Sequence, residues 1–194
     1  MKAPRIVLAS TSCYRAALLR RLLDGFDQMA PDVDERLTAD EAPAARATRL
    51  AAAKAYVVSE NLRDALVIGS DQVAALGDRI LRKPGSAENA HQQLRTSSGN
   101  YVDFFTGLCV IDGRDGIRHT ALDHTRVFFR DLADAEIDRY IACERPLDCA
   151  GSFKSEGAGI ALFERIETTD PTALVGLPLI ALAQLLRQAG IAVP

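Results

Sequence analysis

The 194-residue sequence has no basic excess. Its formal net charge is −3, so it holds no surplus of cations with which to neutralise the many phosphates of a nucleic-acid polymer. It also has no C-x-x-C pair. Cys13, Cys109, Cys143 and Cys149 are scattered along the chain, and a chain of this length needs no disulfide staples, which fits a reducing compartment. No apolar run approaches the ~18 residues that span a bilayer. Ile6 to Ala9, following Met1-Lys2-Ala3-Pro4-Arg5, is too short for the apolar core of a secretory leader. Internal repeats, low-complexity tracts and domain linkers are also missing. The expectation is a cytoplasmic protein with no membrane and no nucleic-acid polymer as partner.

Hydrophobic residues make up 48% of the chain and charged residues 25%, enough to build the core of one large domain, read as spanning residues 1–194. Without a basic surface, affinity for phosphate must rest on a few local Lys and Arg side chains and backbone N–H groups. Such a set suits a small nucleotide better than a duplex.

The pattern alternates strands with helices. Arg5 to Ala9 reads as a strand, and Ser12 as the N-cap of a helix carrying Leu18, Leu19, Leu22 and Leu23 on one face. Pro43 to about Asn61 is Ala-rich and helix-forming. Ala65 to Gly69 is a buried-strand run with Ser70-Asp71-Gln72 at its C-terminal end. A hairpin at Gly77-Asp78 follows, then a helix from Ser86 to about Arg95. Tyr101 to Ile111 and Ile117 to Phe129 read as an antiparallel pair. Ala133 to Cys143 reads as a helix, Ile160 to Phe163 as a strand and Val175 to Gln188 as the last helix. Hairpins among crossovers imply an α/β chain with a mixed sheet.

Several polar groups are candidates for chemistry. Ser10, Thr11 and Ser12 with Arg15 lie where a strand passes into a helix N-terminus, whose unpaired N–H groups suit a triphosphate. An ordinary capped helix with solvated arginines uses the same residues, and no Walker pattern accompanies them. Glu35 and Asp71 are acids on separate segments that can converge on a divalent cation, and hard oxygen ligands suit Mg2+ or Mn2+. Asp32-Val33-Asp34-Glu35 equally reads as a solvated acidic loop. Its likeness to the D-x-D of aspartate phosphotransferases fails, because Gln28-Met29-Ala30-Pro31 is a poor apolar strand. Asp71 directly follows the most apolar run of the first half, so its carboxylate must be paired, metal-bound or at a cleft rim. Lys54, Lys83 and Lys154 are candidates for a cationic shell, although a lone lysine is more often a surface residue. His91, His119 and His124 lack metal-ligand spacing, and no G-x-S-x-G elbow exists. Gly157-Ala158-Gly159 lacks the third glycine of a dinucleotide fingerprint. These residues and the cysteines read as structural.

Taken together, Leu8-Ala9-Ser10-Thr11-Ser12, Arg15-Ala16-Ala17-Leu18-Leu19, Val33-Asp34-Glu35, Ala53-Lys54-Ala55, Gly69-Ser70-Asp71-Gln72-Val73, Lys83-Pro84, Ser98-Gly99-Asn100 and Phe105-Thr106-Gly107 resemble the Maf family of nucleotide pyrophosphatases, also called septum formation inhibitors. The resemblance runs from about Ile6 to Gly190. It implies a Maf/ITPase-like α/β domain with a long, mixed, curved sheet flanked by helices, and suggests a homodimer. Ser70-Asp71-Gln72 and Ala150-Gly151-Ser152-Phe153-Lys154-Ser155-Glu156-Gly157 are similar to the branch acting on 7-methyl-GTP rather than on dTTP and UTP. Tyr14, Gln72 and Glu156 then occupy the specificity positions. Cys13 stands where the family usually has Pro, and Tyr14 where this branch often has Trp. A tyrosine still offers an aromatic face to a cationic methylated guanine.

The resemblance implies that Asp71 is the base that activates water. Glu35 and Asp71 would hold the divalent metal, and Ser10, Ser12, Arg15, Lys54 and Lys83 would position the triphosphate. Attack at the α-phosphorus would release diphosphate and 7-methyl-GMP, keeping modified nucleotides out of nucleic acids. Two alternatives stand beside it: a pyrophosphatase for dTTP, UTP or another non-standard nucleotide, and a regulator of septum formation that does not need catalysis.

Overall fold

The structure is a computed structural model and describes residues 4–36 and 41–194, so Met1 to Ala3 of the N-terminal segment lie outside the described residues. Its sheet is seven-stranded and mixed, in the order β2-β1-β3-β5-β6-β7 with β4 on β3, and five α-helices accompany it among the described residues. This is the expected α/β class. The chain forms two compact units. The first comprises the residues up to Asp71, Thr106–Asp123 and Asp170–Pro194, and the second Gln72–Phe105 and His124–Thr169. β3 (Ala65–Leu76), β5 (Tyr101–Asp112) and β6 (Arg118–Phe129) run through both.

In the first unit β1 (Arg5–Leu8) pairs in parallel with β3, from Arg5↔Ala65 to Leu8↔Ile68, and with the two-residue β2 (Asp27–Gln28). Successive side chains of a strand point to opposite faces, and here both faces are covered. Leu8, Leu66, Ile68, Leu108 and Val110 pack with Leu18 and Leu19 of α1 (Cys13–Leu19) and with Leu182 and Leu186 of α5 (Leu179–Gln188). Val7, Val67, Cys109 and Ile111 pack with Ala51, Ala55 and Val58 of α2 (Pro43–Ser59). Two-sided burial explains why these strands read as continuous apolar runs. α2 sits very close to the sheet: a Cβ at Gly69 would fall 2.6 Å from Ala55 N, and one at Gly107 2.6 Å from Ala47 C. Small residues at both contact points permit this approach.

In the second unit β4 (Arg79–Leu81) returns antiparallel along β3, pairing Ala74↔Leu81 and Leu76↔Arg79. The Ser86 hydroxyl accepts from Asn89 N–H at 3.2 Å to cap α3 (Ala87–Ser97), as expected. β7 (Phe163–Glu167) pairs antiparallel with β6. Phe104, Phe129, Phe153 and Phe163 meet edge to face, with centroids 4.7 to 5.7 Å apart, within the favoured range for aromatic pairs. α4 (Asp134–Glu144) buries Ile137, Tyr140 and Ile141.

Several boundaries differ from those read in the sequence. Ser70-Asp71-Gln72 is not at a strand end, because β3 continues to Leu76; the apolar run stops at Gly69, but the hydrogen-bonded strand does not. α1 stops at Leu19, where the Arg20 N–H bonds back to Ala16 O and the Arg21 N–H to Leu18 O. Leu22 and Leu23 therefore reach the core from a turn. The last strand is Phe163–Glu167 rather than Ile160 to Phe163, since Ala158–Leu162 coils as a 3-10 turn and leaves Ile160 exposed. α5 begins at Leu179, after Gly176 at φ 114° and Pro178 have broken the chain direction. The antiparallel β5–β6 pair is as read, closed by Asp112 N–H to Ile117 O and Phe129 N–H to Asn100 O, each 2.9 Å.

The four cysteines are free thiols. Burial pushes Cys109 up to about 11 and Cys149 up to about 12, so neither is a reactive thiolate near neutral pH.

Candidate active site

The Ala-rich face that lets α2 lie against Gly69 also delivers a lysine to the strand. Lys54 Nζ is 2.6 Å from Asp71 Oδ1 and 2.6 Å from Glu35 Oε1. Lys54 and Asp71 are each 8% exposed. A buried carboxylate next to an apolar run must be compensated, and here the partner is the lysine.

Around this centre the β1–α1 segment adds hydroxyls and a guanidinium. Ser10 is buried, and its Oγ accepts from Ser12 N–H at 3.1 Å and from Arg15 Nη1 at 3.4 Å. Arg15 Nε donates to Gly176 O at 2.8 Å. Ser70 Oγ lies 2.9 Å from Gly107 O and 3.0 Å from Gly176 O, so one loop carbonyl ties the strand hydroxyl to the arginine. Burial lowers the Arg15 pKa, and the negative charges of Asp71 and Glu35 oppose that shift. The guanidinium remains a cation in any case and lies within the field of both carboxylates.

The first unit thus brings together Ser10, Arg15, Glu35, Lys54 and Asp71 of the residues singled out in the sequence. Ser12 caps α1, its Oγ accepting from Arg15 N–H at 3.3 Å, which is the plain capping role weighed above. Tyr14 is half-buried on α1 in the same unit. Gln72, Lys83 and Glu156 belong to the second unit; Gln72 is half-buried, Lys83 is exposed between β4 and α3, and Glu156 is exposed beyond α4. Lys154 is a structural lysine, because its Nζ donates to Glu144 O at 2.8 Å.

One contributor escaped the sequence reading. Arg46 is buried and donates through Nη2 to Glu35 O and through Nη1 to Arg36 O, the latter at 3.1 Å, so it holds the backbone that carries Glu35. Arg46 and Lys54 stand eight residues apart on α2, two helical repeats of four along one face. That spacing was the available signal.

Glu35 and Asp71 suit a divalent cation of the hard, oxygen-preferring kind. Their carboxylates already meet at one positive atom, Lys54 Nζ. Mg2+ is usually bound by one or two carboxylates plus substrate phosphates and water, and Glu35 and Asp71 supply two such carboxylates.

Comparison with known proteins places the chain among relatives of one family. The pattern of the family described as Maf-like protein matches residues 5–189. A protein of Cupriavidus pinatubonensis named 7-methyl-GTP pyrophosphatase is 52% identical over 96% of this chain and 94% of its own length. Proteins of the same name from Xanthomonas campestris pv. campestris and Xanthomonas axonopodis pv. citri are 54% identical, each over 98% of this chain and 99% and 100% of their own lengths.

Proposed function

The chain belongs to the Maf family, and we propose that it is a 7-methyl-GTP pyrophosphatase that releases 7-methyl-GMP and diphosphate. The observation that carries this reading is the buried Lys54 ammonium at 2.6 Å from both Glu35 and Asp71, in a chain 52–54% identical to relatives of that name.

In the proposed reaction a water attacks the α-phosphorus, Asp71 accepts its proton, and the bond to the bridging oxygen breaks as diphosphate leaves. Lys54 keeps the Asp71 carboxylate oriented, and a general base held this way contributes ~10²–10⁴-fold. Ser10 and Arg15 contact phosphate oxygens, with Lys83 as a further phosphate ligand. Ser12 supports them by capping α1. Mg2+ or Mn2+ held by Glu35 and Asp71 would neutralise the phosphates and acidify a coordinated water. Tyr14 offers its ring to the positively charged methylated base, while Glu156 and Gln72 accept and donate hydrogen bonds at the guanine edge. The working assembly is proposed to be a homodimer in the cytoplasm, which light scattering of the purified protein tests for its oligomeric part. Among the described residues no helix is long and apolar enough to cross a membrane.

The test is diphosphate release with Mg2+ or Mn2+ from 7-methyl-GTP, GTP, dTTP and UTP at equal concentration. A clear preference for 7-methyl-GTP is expected. Preference for dTTP or UTP overturns the assignment of Tyr14, Gln72 and Glu156, and no release from any of the four overturns the enzyme itself.

A further inference from the structure

The last turn of α4 grips both ends of the short loop that carries Glu156. At the loop's start, Lys154 Nζ donates to Glu144 O at 2.8 Å, and Lys154 N–H donates to the hydroxyl of Tyr140 at 3.0 Å. At its end, Ala158 N–H donates to Glu144 Oε1 at 2.7 Å. Between them the Glu144 carboxylate lies against Gly157 so closely that a Cβ there would fall 2.7 Å from Oε1 and 2.9 Å from Oε2. The loop is tight within itself as well, Gly157 N–H donating to Lys154 O at 3.3 Å. Glu156 is the exposed residue inside this frame.

Glu144 therefore serves two ends of one loop through two different atoms. Its backbone carbonyl is available because the helix ends there, with Arg145 in the left-handed conformation at φ 45°; terminal helix carbonyls lack intrahelical donors, and Lys154 supplies one. Its carboxylate makes a charge-assisted bond to a backbone N–H, among the stronger hydrogen bonds a loop can have. A loop of five residues held at its first and last positions leaves its central side chains little freedom. Glu144 is 12 residues from Glu156 in sequence and would not be picked out by any motif.

We propose that Glu144 is a positioning residue for nucleobase selection: it holds the Lys154–Ala158 loop so that the Glu156 carboxylate is presented in one orientation. The proposal rests on the reading of Glu156 as a base-recognising residue. Glu144 acts through that loop, its carboxylate already engaged by Ala158 N–H.

The experiment is a double-mutant cycle on purified full-length protein, reading kcat and KM for 7-methyl-GTP and GTP in the parent, Glu144→Ala, Glu156→Ala and the double variant. Loss of one charge-assisted hydrogen bond corresponds to about tenfold. Glu144→Ala is expected to lower kcat/KM for 7-methyl-GTP by about that factor, through KM rather than kcat, and to reduce the preference over GTP. Once Glu156 is gone, removing Glu144 should cost little more. Glu144→Gln retains an acceptor for Ala158 N–H and should recover most of the preference; Lys154→Met, which cuts the other tether, replaces Glu144→Ala if the latter does not fold. If Glu156→Ala changes the preference while Glu144→Ala and Lys154→Met leave it untouched, or if the Glu144→Ala and Glu156→Ala effects add, the positioning role is overturned alone. If Glu156→Ala itself leaves the preference unchanged, the base-recognition reading and the role built on it both fall.

Discussion

Replacing Asp71 with Asn separates catalysis from folding because the two effects differ greatly in size. Asn keeps an oxygen for Lys54, and Lys54 Nζ keeps its second partner, Glu35 Oε1 at 2.6 Å. What the fold loses is the charge on one side of a hydrogen bond, about 1 kcal/mol, the difference between charged and neutral hydrogen bonds. For a chain of this size that lowers Tm by only ~2–4 °C. What catalysis loses is the proton acceptor, worth ~10²–10⁴-fold in kcat, or about 3–5 kcal/mol of barrier. KM should move less, since Ser10 and Arg15 still hold the phosphates. The assay is diphosphate release from 7-methyl-GTP at saturating substrate beside a thermal melt of the same preparation. A folded Asp71→Asn protein with kcat within a few-fold of the parent would refute the base assignment.

Three further outcomes are expected. Chelation of divalent ions should abolish diphosphate release and added Mg2+ or Mn2+ restore it, and Glu35→Gln should raise the metal concentration required by about tenfold or more, taking the loss of one charged ligand at the scale of a charge-assisted hydrogen bond; an unchanged metal titration would remove Glu35 from the cation site. Gly69→Ala should destabilise the protein by about 1–3 kcal/mol, the usual cost of overpacking, and lower activity with it, because the new Cβ would meet Ala55 N at 2.6 Å on the helix that carries Lys54; a wild-type melting temperature would show that α2 is not held so close. Asp112 is held below the usual carboxylate range chiefly by its hydrogen bonds from the Arg114 guanidinium. Its depressed folded pKa means a contribution present above the unfolded value of ~3.9 and lost as pH falls through the lower folded value. Asp112→Asn should therefore lower Tm at pH 7, with the difference from the parent shrinking toward pH 3, and a pH-independent gap would contradict the pairing.

The fold was legible where local rules are strong. Ser12 and Ser86 announced their helices because a hydroxyl before a helical run satisfies an otherwise unpaired N–H, and the β5–β6 pair announced itself through the turn-rich segment between Asp112 and Gly116. Continuous apolar runs marked β1 and the first half of β3, since strands covered on both faces need no polar alternation. Boundaries were legible only where composition changes with structure. β3 passes through Ser70-Asp71-Gln72 without breaking because Ser70 finds carbonyls at Gly107 and Gly176 and Asp71 finds Lys54; these partners are 37, 106 and 17 residues away. Ile160 looked like strand material, yet it lies in a 3-10 turn exposed to solvent, since the pairing with β6 begins only at Phe163.

The sequence by itself determined the class of the protein: an α/β chain without basic excess or long apolar span, whose motifs carry hydroxyls, acids and a few cations in the order typical of one nucleotide-hydrolysing family. Side-chain chemistry and period are local properties, and they survive being read in a line. Only the tertiary structure decided which of those residues act on one another. It joined Lys54 to both Glu35 and Asp71, turned Lys154 from a candidate for the cationic shell into a tether, and revealed Arg46 and Glu144 as supports. Each of these outcomes depends on contacts between different elements of the fold, set by how closely α2 lies on β3 and where α4 ends, and such contacts are not fixed by the local sequence.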